Sequence, residues 1–119
     1  MQVDIQALGF KLTNGLREQT ERRLRLALGS ASSHVRSVAI RLSDDNGPRG
    51  GVDKRCSIRA RLDRAAPMVV IEQQDADLYM AIDRATDRLG RTIFRRLART
   101  AVHRRATMPV TDFGSTDSP

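Results

Sequence analysis

Apolar and polar positions alternate through residues 2–8 (QVDIQAL), with Val3, Ile5 and Ala7 on one side, and this period of two predicts a half-buried strand. The period then lengthens. Thr13 offers a helix N-cap, Leu16, Thr20, Leu24, Ala27 and Leu28 form a helical stripe, and Gly29 offers the C-cap. Alternation returns in residues 35–43 (VRSVAIRLS), where Val38, Ile40 and Leu42 point inward. A glycine-rich loop, residues 44–53 (DDNGPRGGVD), carries Arg49 at its tip. A third strand follows in KRCSIRARLD, with Cys56, Ile58, Ala60 and Leu62 inward and Arg55, Ser57, Arg59 and Arg61 outward. Residues 65–67 read as a turn and MVVIEQQ (68–74) as a fourth strand. Asp75 is the expected cap of a last helix running to about residue 101, and the remaining tail lacks periodicity, so disorder is expected from about residue 104.

The expected order is strand, helix, three strands, helix. Three consecutive antiparallel strands with both helices on one face of a four-stranded sheet make a two-layer α+β sandwich. No internal repeat or second domain is visible, and 119 residues suffice for one modest core. That core must be aliphatic, because the chain has no Trp, one Tyr and three Phe.

Charge changes the picture at the last helix. At 100° per residue, Leu78, Ile82, Ala85, Leu89 and Ile93 share one arc, and Arg84, Arg88, Arg91, Arg95 and Arg99 share another roughly 130° away. The chain carries a formal net charge of +7, and 19 of its 21 cations are arginine. Residues 83–105 hold eight of those arginines against two aspartates, which leaves the rest of the chain close to neutral. A field concentrated in this way favours a polyanionic partner. The five arginines span roughly 22 Å of helix axis at 1.5 Å per residue, and the guanidinium fork grips phosphate oxygens bidentately. The third strand repeats the sign on its outer face but carries no aromatics, so stacking on single-stranded bases is not expected and structured RNA is favoured.

Other chemistry finds little support. Cys56 shares parity with Ile58 and Ala60 and reads as a buried structural thiol. His34 and His103 lack ligands at metal spacing, and Asp44-Asp45 reads as turn chemistry that could pair with Arg49. GPRGG lacks the Lys-Ser/Thr of a phosphate loop and leads into a strand. No stretch approaches the roughly 18 apolar residues of a membrane span, and the N-terminus has no signal-peptide pattern. One cysteine suits a reducing cytosol, so a cytoplasmic protein is expected.

The residues also resemble a family. A first strand beginning at Met1, the TNGLRE helix start (13–18), the three-strand middle and above all DLYMAIDRATDRLGR opening the last helix are similar to the ribosome hibernation-promoting factors and the related ribosome-associated translation inhibitor of bacteria. Asp77, Tyr79, Ala81, Ile82 and Leu89 stand where the family pattern expects them, as do Arg88, Arg91 and Arg95. The resemblance covers residues 1–101 and implies a β-α-β-β-β-α fold similar to double-stranded-RNA-binding domains. It implies a factor of stationary or stressed cells that occupies the mRNA and tRNA channel of the small ribosomal subunit, contacts rRNA through basic residues and stops translation. Arg17 and Arg99 also match basic positions of the family, whereas Arg84 does not and rests on helical geometry alone. Gly90 replaces a helix former, at a cost of up to about 1 kcal/mol relative to Ala. Phe94 replaces a polar residue, and Tyr79, at the edge of the apolar arc, reads as a core tyrosine. The chain resembles the short members, which lack a second, dimer-forming domain.

The candidate rRNA-binding set is therefore Arg17, Arg84, Arg88, Arg91, Arg95 and Arg99, with Lys54 and Arg59 of the third strand. Residues 1–101 are the expected ribosome-binding domain and 102–119 a basic-then-polar tail. No cofactor, metal, membrane or small-molecule substrate is expected, and off the ribosome the chain is expected to be a monomer. Two other readings stay open: a generic structured-RNA module, and a protein–protein regulator docking its arginine helix on an acidic partner.

Overall fold

The computed structural model describes residues 1–44, 53–63 and 68–107, the last eight of these as backbone. Strand β1 (Gln2–Leu8) leads into helix α1 (Asn14–Leu28), a 3₁₀ turn (Gly29–His34), strands β2 (Val35–Asp44), β3 (Lys54–Leu62) and β4 (Val69–Asp75), and helix α2 (Leu78–Thr107). The strands lie in chain order, with β1 parallel to β2 and the other two pairings antiparallel. A parallel neighbour requires a crossover, and α1 is that crossover. The expected α+β order and both helices on one face are what the chain adopts.

Local signals place α1 well. The Thr13 hydroxyl accepts from the Leu16 amide at 3.1 Å, and Gly29, at φ +52°, donates its amide to the Arg25 carbonyl. Leu16, Thr20, Leu24 and Leu28 are buried. Thr20 is tolerated there because its hydroxyl donates to the Leu16 carbonyl at 2.7 Å, and Thr86 of α2 does the same to Ile82 at 2.9 Å.

Against the helices the sheet presents Ile5, Val38, Ile40, Leu42, Cys56, Ile58, Ala60, Leu62, Val69 and Ile71, all buried. Val35 is buried too, three residues before Val38, which a strict period of two forbids. A register shift between Val35 and Ser37 absorbs the extra residue. From α2, Ala81, Ile82, Ala85, Leu89 and Ile93 close the core, each fully buried.

Two expectations are corrected at α2. Its cap is Asp77, whose carboxylate accepts from the Tyr79 amide at 2.9 Å; Asp75 ends β4 and instead accepts from the Asp77 amide at 3.2 Å. The segment DAD offers two capping carboxylates, and the length of β4 decides between them. The helix also continues to Thr107, past the expected end near residue 101. Loop residues 45–52, including Asp45 and Arg49, the turn at 65–67 and the tail from residue 108 lie outside the described residues.

Candidate nucleic-acid interface

The long helix positions the main basic surface. Its apolar arc is buried against β3 and β4, and its flank toward α1 is occupied by an ion pair between Arg23 and Asp83 at 3.0 Å and by Gly90 against Ala27. The arginine arc is left facing outward and toward the β4 edge, and all five of its members are exposed.

Their surroundings differ along the helix. Arg84 pairs with Asp75 at 2.6 Å. Arg88 donates to the Glu72 carbonyl at 2.8 Å and to the Gln73 side-chain oxygen at 2.9 Å. That carbonyl belongs to an edge strand, so Arg88 occupies an acceptor that would otherwise be open to another chain. Arg91 pairs with Asp87 one turn back, at 3.3 Å and with both side chains about two-thirds exposed. Such a pair is worth only about 0.3–0.5 kcal/mol, and a phosphate displaces it easily. Arg95 and Arg99 have no ion pair or hydrogen bond among the described residues. The uncommitted charge thus grows toward the C-terminal half of α2.

The remaining candidates are not brought to this surface. Arg17 is exposed on α1, roughly 100° around that helix from Arg23 and Ala27, which face α2. It therefore stands on the flank remote from the arginine row. Arg59 is exposed on the open face of the sheet, opposite the helical layer. Lys54 has a side chain only 17% exposed and lies 3.1 Å from Asp44 and 3.2 Å from Asp53. Desolvation lowers its pKa, but the two aspartates outweigh that and the net shift is upward. Asp53 is itself buried, so this triad holds the ends of β2 and β3 together where the chain leaves and re-enters the sheet. On α1 itself Arg25 pairs with Glu21 one turn back, at 2.7 Å.

Tyr79 corrects another expectation: it is 51% exposed, not a core tyrosine. It follows the Asp77 cap, before α2 settles onto the sheet. Phe94 is 45% exposed, and Leu26 of α1 is also exposed at the top of the α1–α2 seam. Sequence reading passed over Arg41, whose register opposite Ser57 sets it beside Arg59 on the open face; its outward parity in β2 was the available signal.

Cys56 is fully buried, and burial pushes its thiol up to about 12, far from the thiolate that nucleophilic chemistry needs. Among the described residues no three His, Cys, Asp or Glu side chains come together to hold a metal, and no helix is long and apolar enough to cross a membrane.

The fold is shared with a ribosomal subunit interface protein from Coxiella burnetii, at TM-score 0.70 and 16% identity over 82% of this chain and 99% of that one. It is similar also to the N-terminal domain of Protein Y from Thermus thermophilus, at TM-score 0.63 and 27% identity over 80% of this chain and 98% of that one. No curated protein matches in sequence. The profile of the family described as Sigma 54 modulation protein / S30EA ribosomal protein matches residues 3–101, which takes in all of the sheet after Gln2, α1 and the arginine row of α2. By that match the chain belongs to this family of ribosome-associated modulation and hibernation factors.

Proposed function

We propose that this protein silences translation by lodging on rRNA in the mRNA and tRNA channel of the small ribosomal subunit, with α2 as its anchor. The observation that carries this is the exposed arginine row, backed by the fully buried Ile82, Ala85, Leu89 and Ile93 and ending in Arg95 and Arg99, whose charges no side chain of the described residues neutralises. On a packed helix the spacing of the guanidinium forks is fixed before binding, so the ordering cost falls on the side chains alone. Membership of a ribosome-associated family supports the choice of RNA. Inhibition then needs no chemistry: the bound protein excludes mRNA and tRNA. Arg91 joins the contact by releasing Asp87, while Arg84 and Arg88 divide their role between β4 and the ligand. Lys54 is better read as the clip that joins β2 to β3. The tail beyond the described residues is proposed to continue from the basic end of α2 along the same channel.

The test is cosedimentation with purified small subunits in sucrose gradients, paired with in vitro translation. Arg95→Gln with Arg99→Gln should leave the fold intact, lower the salt slope of binding by about two units and relieve inhibition. A folded double variant with unchanged slope and affinity would show that α2 is not the anchor.

A further inference from the structure

The open face of the sheet is the second place where charge is left over. Its outward positions run in rows across the strands: Asp4–Ala39–Arg59–Val70 and Gln6–Arg41–Ser57–Glu72, with Gln2–Ser37–Arg61 below them. Arg41, Arg59 and Arg61 are all exposed, and none has an ion pair or hydrogen bond among the described residues. In the helical layer Arg23, Arg25, Arg84 and Arg91 each have a carboxylate partner, and Arg95 and Arg99 share the uncommitted state of these three. Asp4, Asp63 and Glu72 are the acids around them, and none makes an ion pair with the three among the described residues.

Geometry makes the excess more pointed. Arg59 and Arg61 lie about 7 Å apart along β3, and Arg41 stands diagonally across on β2 at about 8 Å from Arg59. Like charges so placed repel one another, and an anion laid over them relieves that repulsion. Between them the floor is Ser37, Ala39 and Ser57, side chains too small to hold a ligand off the sheet. A shallow depression over Ser37 and Ala39 is walled by Arg59 and Arg61 on one side and by Gln2 and Asp4 on the other. Among the described residues no aromatic ring lies in these rows for a base to stack upon, so the surface suits a phosphodiester backbone and not unpaired bases.

We infer that the open sheet face is a second phosphate-binding surface, which takes the backbone of a double-helical RNA segment separate from the one on α2. The two basic surfaces point away from each other across the layers. One rigid duplex cannot lie on both layers of the sandwich at once, and the β4 edge between them carries an exposed Glu72, while Asp75 is taken up by Arg84. The protein therefore bridges two RNA segments and sits between them. This extends the proposed ribosomal site and rests on it for the identity of the RNA, but the phosphate chemistry is tested without it.

The experiment compares wild type, R41Q/R59Q/R61Q and R95Q/R99Q on purified small subunits and on a 16-base-pair RNA duplex, from 50 to 200 mM salt. The three sheet positions are exposed, so the triple variant should match wild type in circular dichroism and melting temperature. Its salt slope should fall by about 2.7 units, so that the affinity lost across this salt range is about 40-fold less than for wild type. A bridging assay with one biotinylated and one fluorescent duplex should capture the second duplex with wild type and with neither variant. Failure of wild type to bind small subunits while the duplex results hold would refute the ribosomal reading and leave the second surface standing. A folded triple variant with wild-type slope on both RNAs overturns the inference. So does a defect confined to binding of poly-L-glutamate, which would assign the face to an acidic polypeptide.

Discussion

Gly90 shows how a single residue can mean opposite things in one dimension and in three. Along the chain it is a weak helix former in the middle of a long helix, and Ala should improve it by up to about 1 kcal/mol. In the fold, a Cβ at this position would stand 2.5 Å from the Ala27 carbonyl oxygen of α1. That contact is to backbone, so one helix must move. Gly90→Ala should therefore destabilise by about 1–3 kcal/mol in urea unfolding, and a stabilised variant would show that the helices do not approach so closely. Cys56 supplies a second residue-scale test. With its thiol pushed up to about 12, the native protein should react with iodoacetamide at pH 8 about 1000-fold more slowly than the guanidinium-unfolded chain. The sign of the linked pH effect follows. Below pH 9 the thiol is protonated in both states and its contribution is complete; from pH 9 to about 12 the unfolded chain loses the proton first, so native stability declines. Rapid native labelling at pH 8 would contradict the burial.

At the scale of elements, α2 combines two jobs on faces that do not overlap. Ile82 and Leu89 are fully buried, and replacing either by Ala should cost roughly 2–5 kcal/mol, with ribosome binding falling only as the protein unfolds. Wild-type melting temperatures in both variants would refute the packing of α2 on β3 and β4. The arginine face was visible in the periodicity, but its internal division was not. Arg84 and Arg88 are tied to β4, nine and sixteen residues back, and Arg95 and Arg99 are not tied at all. Position in the repeat cannot distinguish them, because the distinction comes from where the edge strand ends beneath the helix. The 3₁₀ turn at Gly29–His34 was likewise missed: GSASSH has neither period, and only the burial of Ala31 gives it a packing role.

For the molecule as a whole, Ile93 is the last fully buried residue among the described side chains, and Leu97 packs against the core only in part. A chain ending at Thr100 should therefore fold with a melting temperature within a few degrees of the full length. It should also still inhibit in vitro translation, with a modest loss of affinity, because the arginine row remains. A truncated chain that folds but no longer binds ribosomes would make the tail the principal anchor.

What the sequence by itself determined is whatever depends on near neighbours along the chain: the parity of each strand, the Thr13 and Gly29 caps, the two faces of α2, the α+β order and the family motif in the last helix. What only the tertiary structure decided is whatever depends on residues far apart in the chain meeting across the layers. The candidate cations are one case, since periodicity placed each on an outer face but not on the same one. Folding sent Arg17 to the far flank of α1, Arg59 to the open sheet and Lys54 to a clip between Asp44 and Asp53. The cap of α2 is another, because both carboxylates of DAD suit the role locally and the end of β4 chose Asp77. Local patterns follow from backbone geometry repeating every two or 3.6 residues, whereas the partner of a given charge is set by register and packing, which no short window of sequence contains.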